Sequence, residues 1–297
     1  MSPDTRKVAV QVEGRALTLS NLDKVLYPAA AFTKAQVIDY YQRVAPVLLP
    51  HIAARPVTIK RYPEGVDAEF FYQKNAPSHR PPWVPTAQIA SPGSTKSRET
   101  IEYLIGGDLP TLIWAANLAA LELHTPMWRY PGVGEPDLLV FDLDPGPPAT
   151  VVECCEVALI LRPLLLDLGL KPAAKTSGGK GLQLYAAVSG MTSQQASDLA
   201  KDLAERLERE QPALVVSRMT KAARPGKVLI DWSQNNAAKT TVAPYSLRAR
   251  PEPTVSTPVT WAEVEACKHA DDLVFTADDV IERVSTSGDL FAATLAS

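Results

Sequence analysis

The stretch Asp137-Leu-Leu-Val-Phe-Asp-Leu-Asp-Pro-Gly146 carries the strongest fold signal in the chain. Its apolar run, Leu138 to Phe141, is short enough to predict a buried strand rather than a helix. Pro145-Gly146 follows at once and predicts the end of that strand, because proline lacks the backbone donor that a sheet needs. We therefore expect a buried strand whose carboxyl end is strongly acidic.

Two carboxylates close this strand. Side chains alternate along a strand, so Asp142 and Asp144 are expected on the same face, with Cα atoms about 6.5 Å apart. Carboxylates this close repel each other unless a cation or a proton lies between them, and Mg²⁺ and Mn²⁺ take oxygen ligands of this kind. The simpler alternative is a strand that runs into an ordinary polar turn.

The composition is that of a globular protein. The 297 residues are 46% hydrophobic and 21% charged, which is enough for one large domain with an ample core. Residues 1–7 are polar and lack an apolar signal region, and the apolar segment Val157–Leu170 is interrupted by charges, so no membrane span is expected. Three cysteines suit neither a disulfide framework nor a zinc site and favour a reducing cytoplasm.

Charge is unevenly distributed. The net charge is −3, but residues 261–297 hold eight acidic residues against two basic ones, so the preceding residues are net positive. Basic clusters there indicate a polyanionic partner, although solvated surface charge is the alternative for any one cluster. The clusters are Arg55, Lys60 and Arg61; Arg218, Lys221, Arg224 and Lys227; and Lys239, Arg248 and Arg250.

The remaining patterns predict a mixed α+β fold built on antiparallel sheets flanked by helices. Helix starts are indicated by the capping patterns Thr33-x-x-Gln36 and Thr150-x-x-Glu153 and by Asp108. The predicted helices begin at Thr33 and cover 110–123, 150–169 and 193–211. The predicted strands cover 7–13, 15–19, 57–61, 173–176, 182–188, 228–231 and 240–247.

Two further motifs suggest phosphate chemistry. Asp231 ends a second short strand, and three carboxylates at two strand ends suit a pair of divalent ions. Ser177-Gly-Gly-Lys-Gly181 is a tight turn whose backbone N–H groups and lysine suit an anion, although a plain hairpin turn is the alternative. His124 is either a core histidine or a site residue, and Phe70-Phe71 either pack internally or stack on bases.

Together these segments resemble bacterial primase-polymerases, namely the polymerase domain of LigD-type end-joining ligases and its stand-alone relatives. The likeness runs from Leu17-Thr-Leu-Ser-Asn-Leu-Asp-Lys-Val-Leu-Tyr-Pro28 to beyond Arg250. The motifs that carry it are Phe141-Asp-Leu-Asp-Pro-Gly146, Thr176-Ser-Gly-Gly-Lys-Gly-Leu-Gln-Leu-Tyr185, Val228-Leu-Ile-Asp-Trp-Ser-Gln-Asn-Asn236 and Lys239-Thr-Thr-Val-Ala-Pro-Tyr-Ser-Leu-Arg248.

The resemblance implies a primase-polymerase fold and a template-directed nucleotidyltransferase that fills gaps and extends ends in break repair. It implies a two-metal mechanism, usually with Mn²⁺ or otherwise Mg²⁺, and NTP or dNTP substrates with ribonucleotides preferred. It also implies one catalytic domain over 1–297: an N-terminal part (1–130) with 5′-phosphate and template contacts, a catalytic core (131–260) and an acidic helical tail (261–297).

The resemblance also implies residue roles. The metal-binding catalytic carboxylates are Asp142, Asp144 and Asp231. The implied nucleotide-binding residues are His124 near the sugar, Ser177, Lys180 and Arg248 at the triphosphate, Phe70 and Phe71 at the bases, and Gln183, Gln234 and Lys239. The implied 5′-phosphate pocket is Asn21, Lys24 and Lys34. The implied primer and template contacts are Lys60, Arg61, Lys221 and Arg224.

One position departs from the family pattern, because Gln183 stands where the family usually has histidine. Glutamine donates a hydrogen bond but carries no charge, so nucleotide affinity or metal preference is expected to shift. The implied partners are gapped or broken DNA with a 5′-phosphate, an ATP-dependent DNA ligase and an end-binding protein, in the bacterial cytoplasm at the nucleoid.

Two other functions compete with the polymerase. A non-catalytic module that bridges DNA ends has no need of clustered carboxylates beside a polyanion. A metal-dependent phosphoesterase would use the same acids, but Ser177, Lys180 and Arg248 suit a triphosphate better. No Lys-x-Asp-Gly nucleotidylation motif is present in the sequence, which suggests a stand-alone enzyme that works with a ligase in trans or a piece of a longer protein.

Overall fold

The computed structural model describes residues 7–90 and 99–295, and the polar residues 1–6 and the last two residues lie outside these ranges. The α-helices are α1 (Lys34–Ile52), α2 (Leu109–Asn117), α3 (Val151–Asp167), α4 (Ser193–Glu210), α5 (Trp261–Ala266) and α6 (Ala277–Ser287). Short 3₁₀ helices cover Lys221–Ala223, Trp232–Asn235 and Ala292–Thr294. None of the helices in the described ranges is long and apolar enough to cross a membrane.

The strands form two large sheets and two small hairpins. They are β1 (Lys7–Val12), β2 (Arg15–Ser20), β3 (Val25–Tyr27), β4 (Phe32–Thr33), β5 (Pro56–Arg61), β6 (Phe71–Gln73), β7 (Thr86–Ala90), β8 (Thr100–Ile105), β9 (Ala120–Thr125), β10 (Leu138–Pro145), β11 (Ala173–Thr176), β12 (Leu182–Ala187), β13 (Val215–Val216), β14 (Val228–Asp231), β15 (Thr241–Val242) and β16 (Pro258–Val259). The hairpins are β1–β2 and β3–β4.

The first sheet has the order β15-β9-β5-β8-β7, with β6 paired to β5, and its neighbours are antiparallel. Helices α1 and α2 cover it, and their apolar side chains share a core with β5 and β9. Helix α1 begins where the Thr33 capping box predicts, since Thr33 accepts from the N–H of Gln36 and the Gln36 side chain accepts from that of Thr33.

The second sheet has the order β13-β14-β10-β12-β11-β16 and is antiparallel except for the pair β13–β14. Helices α3 and α4 pack on one face, and the core between them and β10 contains Leu139, Phe141 and Leu143. The strand predicted around Leu138–Phe141 is therefore confirmed, and it continues through both aspartates to Pro145. The α+β prediction with antiparallel sheets flanked by helices is also confirmed.

Two element predictions were wrong. The helix predicted over 110–123 ends at Asn117, and the chain reverses through Ala119, whose φ is 57°, into β9. The apolar residues after the helix suited either structure, and pairing with β5 makes them a strand. The strand predicted over 240–247 is regular only at Thr241–Val242, because Tyr245 turns the chain with φ of 64°.

The acidic segment after Trp261 contains the helices α5 and α6 and packs against α1, the turn at Tyr245 and β12. Asp289 accepts hydrogen bonds from the Tyr245 hydroxyl at 2.7 Å and lies 2.9 Å from His51 Nε2 on α1. Phe291 is buried against the Tyr185 ring of β12, with 5.4 Å between ring centroids. The division of the chain into three functional parts stays a prediction.

Candidate active site

Sheet register brings the three predicted aspartates together. Strand β10 lies between β14 and β12, so Asp142 stands opposite Asp231 on one side and opposite Gln183 on the other. Asp144 is two residues further along the same strand. The two-residue alternation of β10 and the pairing with β14 thus place three carboxylates at one end of the second sheet.

Burial and the negative charges of neighbouring aspartates raise the pKa values of Asp142 and Asp144. Burial and the charges of Asp144 and Asp231 together raise the pKa of Asp142 to about 7, against the hydrogen bond from Gln183. Burial and the charge of Asp231 also raise the pKa of Asp144, while Arg224 opposes the shift. Asp231 accepts hydrogen bonds from the Ser233 hydroxyl at 2.6 Å and from Gln234 Nε2 at 2.9 Å.

This donor set fits divalent cations by its chemistry. Carboxylate oxygens suit Mg²⁺ and Mn²⁺, and a cation would relieve the repulsion that raises the pKa values of Asp142 and Asp144. Within residues 7–90 and 99–295, no group of three His, Cys, Asp or Glu side chains is already arranged around a single ion position. Asp142, Asp144 and Asp231 thus fit the ions by the chemistry of their oxygen donors and not by an arrangement already formed around one ion.

Lys175, a buried lysine that the sequence analysis missed, contacts Asp142 indirectly through Gln183. Gln183 Nε2 donates to Asp142 Oδ1 at 2.9 Å, and Gln183 Oε1 accepts from Lys175 Nζ at 2.5 Å. Lys175 is fully buried and also donates to Ser256 Oγ at 2.6 Å. Burial lowers the pKa of Lys175 well below its usual value, against the charge of Asp142. The lysine fixes which end of the Gln183 amide faces Asp142.

The glycine-rich turn is held against Arg248. Ser177 Oγ accepts from the N–H groups of Gly181 at 3.1 Å and Gly179 at 3.3 Å, and Arg248 Nη1 donates to the Ser177 carbonyl oxygen. Gly178 has φ of 65°, and a Cβ there would come within 2.6 Å of Arg248 Cγ. The turn therefore needs glycine at this position both for its backbone conformation and for its approach to the arginine.

His124 lies on β9 rather than at a helix end, and its Nε2 is 2.9 Å from Glu122 Oε2. Glu122 is almost fully buried and was missed by the sequence analysis. Burial lowers the pKa of His124, while Glu122 opposes the shift. Two residues apart on one strand, the histidine and the glutamate point to the same face of the first sheet.

These groups surround one cleft of about 470 Å³ between the two sheets. Of the predicted nucleotide and metal residues, the cleft is lined by His124, Asp142, Asp144, Ser177, Lys180, Gln183 and Arg248. The predicted primer residue Arg224 also lines it, whereas Asp231 pairs with Asp142 without lining the cleft. Thr240, Thr241 and Val242 close one wall. Gln234 donates a hydrogen bond to Asp231 and does not line the cleft. Lys239 is exposed beside Thr240 and does not line the cleft either.

The aromatic pair is exposed beside the cleft. Phe70 and Phe71 expose 51% and 57% of their surface, which disfavours the alternative of internal packing. Lys60 Nζ lies 4.1 Å from the Phe70 ring centroid, a cation–π contact that joins the ring to a predicted DNA-binding lysine. Tyr72, which was not predicted, donates or accepts a hydrogen bond with Thr240 Oγ1 at 3.1 Å and packs edge-on to His124.

The predicted 5′-phosphate residues form a second basic site near the β2–β4 segment. The backbone N–H of Lys34 donates to the Lys24 carbonyl oxygen at 2.8 Å. The backbone N–H of Lys24 donates to the Asn21 carbonyl oxygen at 3.1 Å. Asn21 has φ of 54°, which turns the chain so that the segment folds on itself. Lys24 Nζ pairs with Glu64 at 2.7 Å. Arg61 lies close enough to Lys34 to lower its pKa.

The predicted primer loop abuts the end of β10. A Cβ on Gly146 would lie 2.1 Å from the Arg224 carbonyl oxygen, so the loop packs directly on this glycine. Arg224 Nη2 donates to the Met219 carbonyl oxygen at 2.7 Å, and Lys221 begins the short 3₁₀ helix just before it. The contact sets the distance between the loop and Asp144.

Comparisons with known proteins agree with this geometry. The family model of the LigD primase-polymerase domain matches residues 33–291. The chain is 46% identical over 285 residues to the multifunctional non-homologous end joining DNA repair protein LigD of Mycobacterium tuberculosis, an alignment that covers 92% of this chain and 36% of that protein. It is 47% identical over 277 residues to the multifunctional non-homologous end joining protein LigD of Mycolicibacterium smegmatis, covering 92% and 35%.

A solved structure is similar over nearly its whole length. The polymerase domain from Mycobacterium tuberculosis ligase D, in complex with DNA, superposes with a TM-score of 0.87 at 45% identity, covering 94% of this chain and 98% of that one. The chain spans about a third of the length of the mycobacterial relatives that it matches, at 36% and 35% of theirs.

Proposed function

The chain belongs to the LigD primase-polymerase domain family, and from that premise we propose that it is a template-directed nucleotidyltransferase. It adds nucleotides to a primer terminus in DNA gaps and at broken ends during non-homologous end joining. The observation that carries the proposal is the cross-strand pairing of Asp142 with Asp231 at the edge of a cleft that Asp142, Asp144 and the glycine-rich turn line.

Asp142, Asp144 and Asp231 would hold two divalent ions, Mn²⁺ or Mg²⁺. When bound, such ions lower the pKa of the attacking 3′-hydroxyl and neutralise the charge of the triphosphate. The chain supports this role by keeping the carboxylates close, with Gln183 and Lys175 fixing the orientation of Asp142. Because the pKa of Asp142 is about 7, protons compete with cations for this carboxylate near neutral pH.

The cleft supplies the remaining contacts for a nucleoside triphosphate. Ser177, Lys180 and Arg248 offer a hydroxyl and two cations to the phosphates, a set that a phosphoesterase acting on a single phosphate does not need. His124 lies on the opposite wall, where it would contact the sugar, and Phe70 and Phe71 present exposed rings to bases. We extend to this chain the preference of the family for ribonucleotides.

DNA would be held mainly through its phosphates. Asn21, Lys24 and Lys34 would bind a downstream 5′-phosphate, and Lys60, Arg61, Lys221 and Arg224 would follow the primer and template strands. Phosphate contacts position DNA without reading its sequence, so binding should be sequence-independent and should weaken steeply with salt. An ATP-dependent ligase and an end-binding protein complete the proposed repair reaction in the bacterial cytoplasm.

Extension of a labelled primer across a one-nucleotide gap tests the proposal. With Mn²⁺ present, we expect templated addition of one nucleotide, faster with NTPs than with dNTPs, and no addition when the ions are chelated. A downstream 5′-hydroxyl in place of the 5′-phosphate should slow the reaction. The matched control is a gap whose template base does not pair with the supplied nucleotide.

The competing functions predict other outcomes. Tight binding to the gap without addition, with either metal, would favour a module that bridges DNA ends. Release of inorganic phosphate from DNA ends or free nucleotides without primer growth would favour a phosphoesterase. Either result would overturn the proposed polymerase.

A further inference from the structure

Glu122 is a buried carboxylate at the centre of β9, and only 3% of its surface is exposed. Four donors surround it: His124 Nε2 at 2.9 Å, the Ala249 N–H at 3.0 Å, Arg248 Nε at 3.4 Å and Lys60 Nζ at 3.9 Å. The lysine stands directly opposite on β5. The glutamate thus links three cationic or titratable side chains of the cleft region.

This environment keeps the carboxylate ionised. Burial by itself would raise the pKa of Glu122, but the hydrogen bond from His124 and the charges of Arg248 and His124 lower it to about 2. A buried charge is tolerated only when it is paired and hydrogen-bonded, and this one is both. The energetic cost of burying Glu122 is therefore offset by contacts with residues that line the cleft.

The arrangement connects the two walls of the cleft. Glu122 belongs to the first sheet, whereas the Ser177 turn follows β11 of the second sheet. Arg248 spans the gap, with Nε facing Glu122 and Nη1 donating to the Ser177 carbonyl oxygen. Arg248 Nε is buried and has no hydrogen-bond partner in the described residues, so the ion pair with Glu122 is what orients this end of the guanidinium.

We propose that Glu122 is a positioning residue that aligns His124 and Arg248 on an incoming nucleoside triphosphate. The inference rests on the proposed function, because it assigns the sugar and triphosphate contacts to those two side chains. Glu122 itself does not touch the nucleotide. It acts by holding the histidine ring through Nε2 and the arginine through Nε, so both are oriented before the nucleotide arrives.

Nucleotide binding by Glu122→Gln tests the inference without relying on turnover. A fluorescent, non-hydrolysable NTP analogue would be titrated into wild type and variant in the presence of Mn²⁺. Loss of one charged hydrogen-bond partner should weaken nucleotide binding about tenfold, and should weaken binding of gapped DNA by less, since Lys60 is the one partner of Glu122 assigned to DNA. In primer extension the same variant should raise KM for the nucleotide more than it lowers kcat.

A double-mutant cycle separates positioning from a merely structural role. We expect the combined loss of nucleotide affinity in the Glu122→Gln/Arg248→Ala double variant to be smaller than the product of the fold-losses of the two single variants. The reason is that both substitutions break the same contact. The matched control is Glu263→Gln on α5, away from the cleft. It breaks a half-buried pair with Arg283 of α6 at 2.6 Å and should leave nucleotide affinity unchanged. If Glu122→Gln does not fold, Glu122→Asp keeps the charge but shortens the side chain, and should weaken the same binding.

Two results would overturn the inference. One is wild-type nucleotide affinity in a folded Glu122→Gln or Glu122→Asp variant, and the other is a double mutant whose effects multiply independently. A wild-type protein that binds nucleotide but adds none to the primer would instead contradict the proposed polymerase. The two failures are therefore distinguishable.

Discussion

Lys34 carries an ammonium group although only 6% of its surface is exposed. Its Nζ donates to the Ser20 carbonyl oxygen at 2.7 Å, and burial, together with the charges of Lys24 and Arg61, lowers its pKa to about 8. A 5′-phosphate would be attracted to the protonated form. Binding should therefore favour 5′-phosphorylated gaps over 5′-hydroxyl gaps most strongly at pH values below the pKa of Lys34. This preference should decrease as pH rises through about 8.

Fluorescence anisotropy with the two gapped duplexes, from neutral to alkaline pH, measures this preference. Lys34→Arg is the matched control, since arginine stays charged throughout and should remove the pH dependence. A wild-type preference that is constant across this range would contradict the assignment of Lys34 to the phosphate pocket.

Lys175 should matter for both activity and stability. Lys175→Met removes the donor that orients the Gln183 amide, so Asp142 loses a fixed partner and nucleotide addition should fall about tenfold. The free energy of unfolding should fall by about 1–3 kcal/mol, because the buried Gln183 Oε1 and Ser256 Oγ lose a hydrogen-bond donor.

Urea unfolding and single-turnover extension measure the two effects of Lys175→Met separately. Ser256→Ala is the control, as it removes the other partner of Lys175 and leaves the bond to Gln183 in place. Unchanged addition by a variant that has lost several kcal/mol of stability would show a purely structural lysine.

For single residues, the local sequence pattern predicts some members of the site and misses others. Asp142 and Asp144 follow from the two-residue period of one strand, whereas the pairing with Asp231 depends on sheet register. Glu122 and Lys175 gave no signal, because each is held in place partly by a residue far away in the sequence: Ala249, 127 positions from Glu122, and Ser256, 81 positions from Lys175. A buried polar residue is recognised as part of a site only when these distant contacts are known.

Among the elements, helix starts are predictable because capping is local. The capping boxes of Thr33 and Thr150 are both formed, and each helix begins at the next residue. The end of α2 is not predictable in this way, since residues 118–123 are apolar and become a strand only through pairing with β5. The same applies to residues 243–247, where the Tyr245 N–H donates to the Ser256 carbonyl oxygen and the Tyr245 carbonyl oxygen accepts from the Tyr40 hydroxyl.

The end of β10 is set by close packing, which gives a test at Gly146. Gly146→Ala places a Cβ 2.1 Å from the Arg224 carbonyl oxygen, so the loop that carries Arg224 must move. We expect a loss of about 1–3 kcal/mol in the free energy of unfolding, with slower extension of a primer.

Thermal unfolding and primer extension measure both effects of Gly146→Ala. Gly132→Ala is the matched control, because its Cβ would meet the flexible end of the Glu135 side chain at 3.3 Å. Wild-type stability and extension in Gly146→Ala would show that the loop contact is not required.

In the whole molecule, the C-terminal segment connects α1 and the turn at Tyr245 with β12 of the second sheet. Asp289 contacts His51 of α1 and Tyr245, and Phe291 packs on Tyr185 of the second sheet. Burial alone would raise the pKa of Asp289, but hydrogen bonds from His51 and Tyr245 lower it. A carboxyl group with a lowered pKa stabilises the fold above its unfolded pKa of about 3.9, and this stabilisation is lost as pH falls through the folded pKa.

Asp289→Asn should therefore lower the free energy of unfolding by about 1–3 kcal/mol at neutral pH, with a difference from wild type that shrinks in acid. Urea unfolding at a series of pH values measures it. The control is Asp39→Asn, which breaks only an exposed pair with Arg43 at 3.9 Å and should change stability by less than about 1 kcal/mol. A constant difference for Asp289→Asn down to acid pH would contradict this role of the carboxylate.

We propose that three aspartates on paired strands make this chain a polymerase. The most direct test compares wild type with Asp142→Ala/Asp144→Ala on a one-nucleotide gap with a downstream 5′-phosphate, measuring both DNA binding and nucleotide addition in Mn²⁺. We predict templated addition by the wild type, none by the double variant, and similar affinity for the gap in both. Addition by the double variant, or binding without addition by the wild type, would contradict the claim.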